Sequence, residues 1–589
     1  MDKKNTILGV LLLVAAGISF YLSARMAPPS PAPRAPEVTR AAGANRAGDV
    51  STSTTPADAA FASVATTVAD AKVVVLSNDF IEARFTDFGA AIDEVALRGY
   101  EAELAKTGAP YLINQLHAEP ALAFVDFPGL DRRARYELVS QTAAEVVFRT
   151  VWEKRVEVLR RYSIVPGSGD EKNDPYVIRY ETTLRNLTDE SVVLPRAQLS
   201  VGTAAPLNEA DPGLYLATGY HDGADTEIVK RSKLEGGGIL SYIGFGSRTP
   251  IPYIETIAPI TWASAENQFF VSILTPDQPG VGLVTRRVEL PPFPNSVRPA
   301  VGMTSTARFD LPALAPKGET KLAGSLYAGP KEYHRLSNAE IFKNDQDAVM
   351  QFGFFSFFSK ILLTLMTWVH QHLVASWGWA IVITTLILKF VFLPLTLSAS
   401  KSAKRMQKIQ PEMAALKEKF KDNPQKMQQA TMELFKKHRV NPVGGCLPIL
   451  ITIPFFIGFF SMLQSTAELR FQAFLWAKDL SAPDTVARLW GLPINIMPIL
   501  MGATMIIQMR LTPQPTVDNA QAKMFKFMPY FFALICYNFS CALSLYSTIN
   551  GLFTIVQQII INRMKDPEPV AAVATGGGRR GMKNVTPKK

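Results

Sequence analysis

At 589 residues the chain is too long for one compact unit and has room for about three or four. Hydrophobic residues make up 48% of it, 35 of them Phe; its mean hydropathy is positive, and it still carries a net charge of +10. That pairing separates it from soluble enzymes and points to membrane spans with basic flanks. Nucleic-acid binding is disfavoured, because the excess charge sits beside apolar runs rather than on a folded polar surface.

Taken in chain order, residues 1–26 read as an N-terminal signal anchor. Lys3 and Lys4 precede an uncharged run from Ile7 to Leu22, and no small-x-small cleavage site follows. The run is short for a span, but Arg25 can snorkel outward; a cleaved signal peptide is the alternative. Residues 27–72 are rich in Pro, Ala, Ser and Thr without periodicity, the composition of a disordered linker.

Residues 73–335 carry a period of two. Tyr176, Ile178, Tyr180, Thr182 and Leu184 alternate with Val177, Arg179, Glu181, Thr183 and Arg185, as in a half-buried strand. Similar runs at Glu145 to Trp152 and Phe269 to Leu274, with turn-rich pieces between, predict a large antiparallel β-sandwich. The three cysteines, Cys446, Cys536 and Cys541, all lie outside it, so its fold does not depend on disulfides.

At residues 350–373 the period becomes helical. Gly353, Ser356, Lys360, Thr364, Thr367 and Gln371 form a narrow polar stripe on an apolar helix, which suits the membrane interface. Apolar runs follow at Trp379 to Leu397, Cys446 to Leu463, Ile494 to Met509 and Met528 to Ile561. The last has 34 residues without an acid or base, too long for one helix of about 20.

Loop charge resolves the count, because basic residues mark the cytoplasmic side. Residues 398–442 carry eleven Lys and Arg against four acids, the loop 465–491 is neutral, and the loop 511–526 and the tail 563–589 are basic. Two basic flanks around the last run require two crossings there. The expected order is six spans (the anchor, 377–397, 445–464, 492–510, 527–541 and 542–562) with both termini cytoplasmic and the β-domain outside. Four arginines after the first span oppose this, but charge ahead of a long exported domain carries little topological weight.

Between spans two and three, Lys401 to Phe420 and Gln425 to Arg439 are charged and helix-prone, broken at Asp422-Asn423-Pro424, and predict a cytoplasmic helical hairpin. Such a hairpin is either a solvated surface or a docking arm for an emerging chain or a ribosome.

Lys389 lies about ten residues into the second span. A charge at that depth costs roughly 3 kcal/mol on insertion scales, which makes it a candidate functional residue. The last span places Ser544, Ser547, Thr548, Gly551, Thr554 and Gln558 on one face, and Thr385, Gln464 and Gln508 add polar groups from other spans. Together they predict a hydrophilic pocket, although ordinary interhelical hydrogen bonds would use the same residues. No acid occurs within the apolar runs, so Lys389 is expected to be hydrated and unpaired. No enzymatic motif is present: Gly576 to Lys583 places Met582 where a phosphate loop needs Lys, and His117 and His221 lack a nucleophile or metal spacing. No cofactor or metal is expected.

Asn441-Pro442-Val443-Gly444-Gly445-Cys446-Leu447-Pro448, with Pro454-Phe455-Phe456, resembles the hairpin exit and third span of bacterial YidC membrane protein insertases. Leu393-Pro394-Leu395-Thr396, Trp476-Ala477-Lys478-Asp479-Leu480-Ser481 and Phe527-Met528-Pro529 are similar to that family too, in the right order. Phe88 to Ile92 and Leu326 to Pro330 resemble the edges of the periplasmic domain in its Gram-negative members. The resemblance implies a multi-pass inner-membrane protein with a five-helix insertase core and a charged groove open to cytoplasm and lipid. Its positive residue falls on Lys389, where the usual residue is Arg, with Thr385, Gln508, Ser544 and Thr548 as candidate polar lining. The substrate-contacting slide falls on Ile453, Pro454, Phe456, Phe532 and Ile535, with Tyr546 from the last span, and Phe539-Ser540-Cys541 stands where the family has Pro-Ser-Gly. Implied partners are nascent membrane proteins, the Sec translocon, the ribosome through hairpin and basic tail, and the lipid bilayer. A membrane-anchored periplasmic carbohydrate-binding or carbohydrate-modifying protein is the alternative; a solute transporter is disfavoured by the lack of a paired intramembrane acid and base.

Overall fold

A computed structural model describes residues 70–104, 108–167, 173–235, 250–294, 296–421, 423–438, 447–511 and 530–563. The signal anchor, most of the linker, the 441–446 motif, residues 527–529 and the basic tail lie outside the described residues.

The described residues from Val73 to Pro330 are mostly β-structure, and their strands pair antiparallel. A nine-stranded sheet runs from Thr226–Lys230 at one edge, through Glu319–Pro330, to Glu137–Gln141 at the other. Two four-stranded sheets cover it. The sheet of Val73–Ser77 to Pro110–Ile113 packs on its later edge, and the sheet holding Ala197–Ala204 and Ala300–Phe309 packs on the strands Trp262–Glu266 and Phe270–Pro276. Tyr176, Ile178, Tyr180, Thr182 and Leu184 are all buried, so the alternation seen in the sequence does set the inward face.

The Phe88–Ile92 motif has a physical basis. Gly89 and Ala90 have φ of +71° and +45°, and a Cβ on Gly89 would lie 3.0 Å from the Arg132 backbone. This turn aims two carbonyls inward: Gly89 O accepts from the fully buried Arg160 at 2.6 Å, and Ala90 O accepts from Tyr162 at 2.5 Å. A buried guanidinium is tolerable only when its donors are used in this way.

The helical part comprises α1 (Ser356–His372), α2 (Trp377–Lys408), α3 (Gln410–Lys419), α4 (Pro424–Lys437), α5 (Leu447–Ser465), α6 (Ile496–Leu511) and α7 (Cys541–Arg563). Residues 530–535 are helical and end in a 3-10 turn, Cys536–Asn538. Helix α7 packs on α6 and α2, and α1 packs on α5 and α2. Among the described residues three helices are long and apolar enough to cross a membrane, those at Gly353–His372, Trp377–Met406 and Cys541–Arg563; Ile453–Ser465 and Ile496–Leu511 are shorter and apolar.

Two boundaries differ from the sequence pattern. Helix α2 runs through Pro394 to Lys408 and breaks at Ile409, so the first hairpin helix is only α3. Residues 492–495 form a strand, and the helix expected from 492 starts at Ile496. Helix α1, expected in the interface, is long and apolar enough to span, and near its start Lys360 pairs with Asp347 at 2.5 Å. The Asn423-Pro424 break does start α4, with Asn423 accepting from Lys426 N at 3.1 Å, and His438 meets Glu412 at 3.2 Å to close the hairpin.

Candidate functional site: a lysine at mid-depth among apolar helices

The apolar stretch of α2 starts at an aromatic layer. Trp377 stacks on His370 at 4.0 Å, and Trp379 meets Phe474 edge-on at 5.5 Å. Lys389 lies ten residues further on. At 1.5 Å per residue that is about 15 Å, the middle of a hydrocarbon core of about 30 Å.

The half-buried Lys389 Nζ donates to Thr554 Oγ1 at 2.9 Å and stands 5.8 Å from the Phe553 ring centre. The partner is a neutral hydroxyl on α7, not an acid, and it donates in turn to Asn550 O at 2.8 Å. A hydroxyl supplies a dipole but no counter-charge, so the positive charge is only partly compensated. Two more rungs join the same helices: Gln557 Nε2 donates to Thr396 Oγ1 at 3.0 Å, and Lys404 Nζ to Ile561 O at 3.5 Å. On the other side of α7, Gly551 lets α6 approach so closely that a Cβ there would be 2.8 Å from Thr504 Oγ1 and 3.9 Å from Gln508 Oε1.

The remaining candidate polar residues do not gather around Lys389. Thr385 is buried and donates to Ile381 O of its own helix at 2.7 Å. Thr548 likewise donates to Ser544 O at 2.7 Å, and the Ser544 hydroxyl is buried without a partner. Gln464 lies at the seam with the β-domain, where its side chain accepts from Tyr215 OH and its carbonyl from Gln268 Nε2 at 2.9 Å. Of the slide residues, Ile453, Phe456, Phe532 and Ile535 are exposed and Pro454 is half-buried. Tyr546 is buried instead, stacked on Phe459 at 4.1 Å and standing behind Phe456.

The sequence pattern overlooks Thr396 and Gln557 as members of the site, although a Gln in an apolar run is a signal. It also overlooks Arg470, which passes as one charge in a neutral loop. Arg470 donates to the carbonyls of Glu101 and, at 3.0 Å, Ala102, and lies 4.1 Å from the Phe471 ring and 5.4 Å from that of Tyr111, fastening the outer loop to the β-domain. Among the described residues no cluster of His, Cys, Asp or Glu is disposed to hold a metal.

Two family descriptions match most of the chain: "60Kd inner membrane protein" over residues 368–568 and "YidC periplasmic domain" over residues 73–365. The membrane protein insertase YidC of Anaeromyxobacter sp. (strain Fw109-5) is 30% identical over 525 residues, covering 86% of this chain and 87% of that one. The namesake from Paraburkholderia phytofirmans is 29% identical over 603 residues, with 96% and 98% covered. A crystal structure of an active YidC insertase with its first transmembrane domain resolved aligns with 85% of this chain and 94% of that one, at 16% identity and a TM-score of 0.32. The class is thus an inner-membrane protein joining apolar helices to a periplasmic β-domain. The chain belongs to the YidC family of membrane protein insertases, and membrane insertion is its function.

Proposed function

We propose that a nascent segment enters from the cytoplasm into a hydrated groove beside α2 and α7, where Lys389 attracts its short polar end. Its apolar part then leaves past Ile453, Phe456, Phe532 and Ile535 into lipid. The observation that carries this reading is a mid-depth lysine whose partner is a hydroxyl rather than a carboxylate, which leaves its charge available to a visiting acid. Transfer into lipid yields about 25 cal/mol per Å² of apolar surface, so the groove itself needs no nucleotide.

The same reading gives six spans, α1 in the interface, cytoplasmic termini and a periplasmic β-domain. The α3–α4 hairpin and the basic tail face the cytoplasm and receive a ribosome, and the chain works alone or beside the Sec translocon. Support comes from loop charge and from the apolar character of α2, α5, α6 and α7. The test compares Lys389→Ala, Lys389→Arg and Lys389→Glu in a depleted host, with a single-span substrate whose translocated tail is acidic. Arg should support insertion, Ala should weaken it and Glu should weaken it most. Equal rescue by Ala and Glu would remove the electrostatic part.

A further inference from the structure

The loop between α5 and α6 ends in a β-hairpin, Thr485–Leu489 paired with Leu492–Asn495, to which groove and slide assign no task. Its root is bound into the helices. Asp484 Oδ2 accepts from Trp476 Nε1 at 2.7 Å and from Met497 N at 2.8 Å, at the start of α6. Asn495 Oδ1 accepts from Thr485 Oγ1 at 2.7 Å while its Nδ2 donates to Tyr537 O at 2.9 Å, and Tyr537 OH donates to Pro493 O at 2.6 Å. The hairpin therefore leaves from a fixed point beside the turn that leads into α7.

Its tip is bare. Every residue of the first strand is exposed, and Trp490 is 92% exposed. Trp490 and Gly491 form a two-residue connection with φ of +49° and +82°, as in a type I′ turn. The first position of that turn favours Asn, Asp or Gly, and a bulky aromatic there is strained. A strained Trp that packs on nothing in its own chain is explained by what it meets outside.

Three observations identify that surface as lipid. Leu492 at the tip is exposed, and so are Ile499 and Leu500 at the start of α6, a few residues further along the chain. Tryptophan favours the boundary between headgroups and acyl chains. Arg488, exposed two residues before the tip, supplies a cation suited to lipid phosphate.

We propose that the Thr485–Asn495 hairpin is a lipid anchor that seats Trp490, Leu489 and Leu492 at the headgroup boundary of the outer leaflet, with Arg488 against phosphates. Because its root holds the start of α6 and the turn before α7, the anchor fixes the depth of both helices. It rests on the proposed topology, in which this loop lies outside.

The test uses the full-length protein in phosphatidylcholine and phosphatidylglycerol vesicles brominated either near the headgroup or deep in the acyl chain. The fluorescence of Trp490 is the difference between the unaltered protein and Trp490→Phe, which cancels the other tryptophans. Shallow bromines should quench this difference at least about twofold more than deep ones. A difference quenched by neither, as a free loop or a protein-binding tip would give, overturns the anchor, and so does stronger quenching by deep bromines. Labelling of Lys478→Cys by an impermeant maleimide on spheroplasts reports the side separately. Labelling without quenching sinks the anchor alone, whereas quenching without labelling sinks the placement in the outer leaflet and with it the topology.

Discussion

Glu468 lies in the 3-10 turn Ala467–Leu469, where the outer loop meets the β-domain. Its Oε2 is sealed from water without a hydrogen-bond partner. Burial first, and then the Glu332 carboxylate, push its pKa from 4.5 up to about 8. Between those two values the folded chain keeps a proton that the unfolded chain has lost. The stability is therefore fully present below the unfolded pKa and falls as pH rises through the folded one. Glu468→Gln keeps the shape and removes the titration. The ceiling is about 1.4 kcal/mol per pH unit, and since other atoms of the side chain reach solvent we expect about 1–2 kcal/mol in all between pH 6 and 8. In detergent the melting temperature of the unaltered chain should fall by a few degrees relative to that of the Gln variant between pH 6 and pH 8, the gap widening steadily with pH. Melting curves that stay parallel from pH 6 to 8, or that separate in the opposite sense, would refute a protonated Glu468.

Arg470→Ala removes the donors to the Glu101 and Ala102 carbonyls and should weaken the seam by about 2–4 kcal/mol, read as faster hydrogen exchange in residues 99–104; unchanged exchange would show the seam to be held elsewhere. Gly551→Leu must displace Thr504 and drive α6 from α7, lowering thermal stability by about 1–3 kcal/mol, with a smaller loss for Gly551→Ala; an unchanged melting temperature would contradict the close approach. Lys389→Met trades one hydrogen bond for relief of a charge at mid-depth, so it should stabilise the bundle by about 2 kcal/mol while impairing insertion, and a lower melting temperature would show that the lysine is structural.

The β-domain was legible where one period governs burial: Tyr176 to Leu184 alternate because one face of that strand meets the core. The place of Lys389 inside a long apolar helix was legible from the run that contains it. Its bond to Thr554 was not, because 165 residues separate them and only packing decides which of the polar positions on α7 faces α2. Arg470 escaped for a related reason: summing loop charge to zero hides a guanidinium that leaves solvent for carbonyls about 370 positions earlier in the chain. The 485–495 hairpin lacks an Asn-Gly or Asp-Gly turn, and its second strand merges with an apolar run that periodicity assigns to helix. The inward turn of Tyr546 onto Phe459 was not legible either, because a match by sequence does not say which way a ring packs.

The rungs on α2 and α7 are distributed unevenly along the two helices, and that asymmetry bears on direction. From Lys389 toward the hairpin they are polar, namely Lys389 with Thr554, Thr396 with Gln557 and Lys404 with the Ile561 carbonyl. Toward the aromatic layer, Thr385 and Thr548 turn their hydroxyls onto their own backbones, and the Phe459–Tyr546 stack closes α5 against α7. On the proposed reading, water and a polar chain end meet side chains that bridge the two helices in the first half, and entering the second would strip those bonds without return. A hydroxyl partner suits this role better than a carboxylate. A Lys–Asp pair would be strongly coupled and would bind an entering acid only after breaking its own contact, whereas the Thr554 hydroxyl is displaced at the cost of about 1 kcal/mol. Lysine in place of arginine sharpens the same point, since a single ammonium gives attraction without a fixed bidentate geometry and so favours acidic tails of varied sequence.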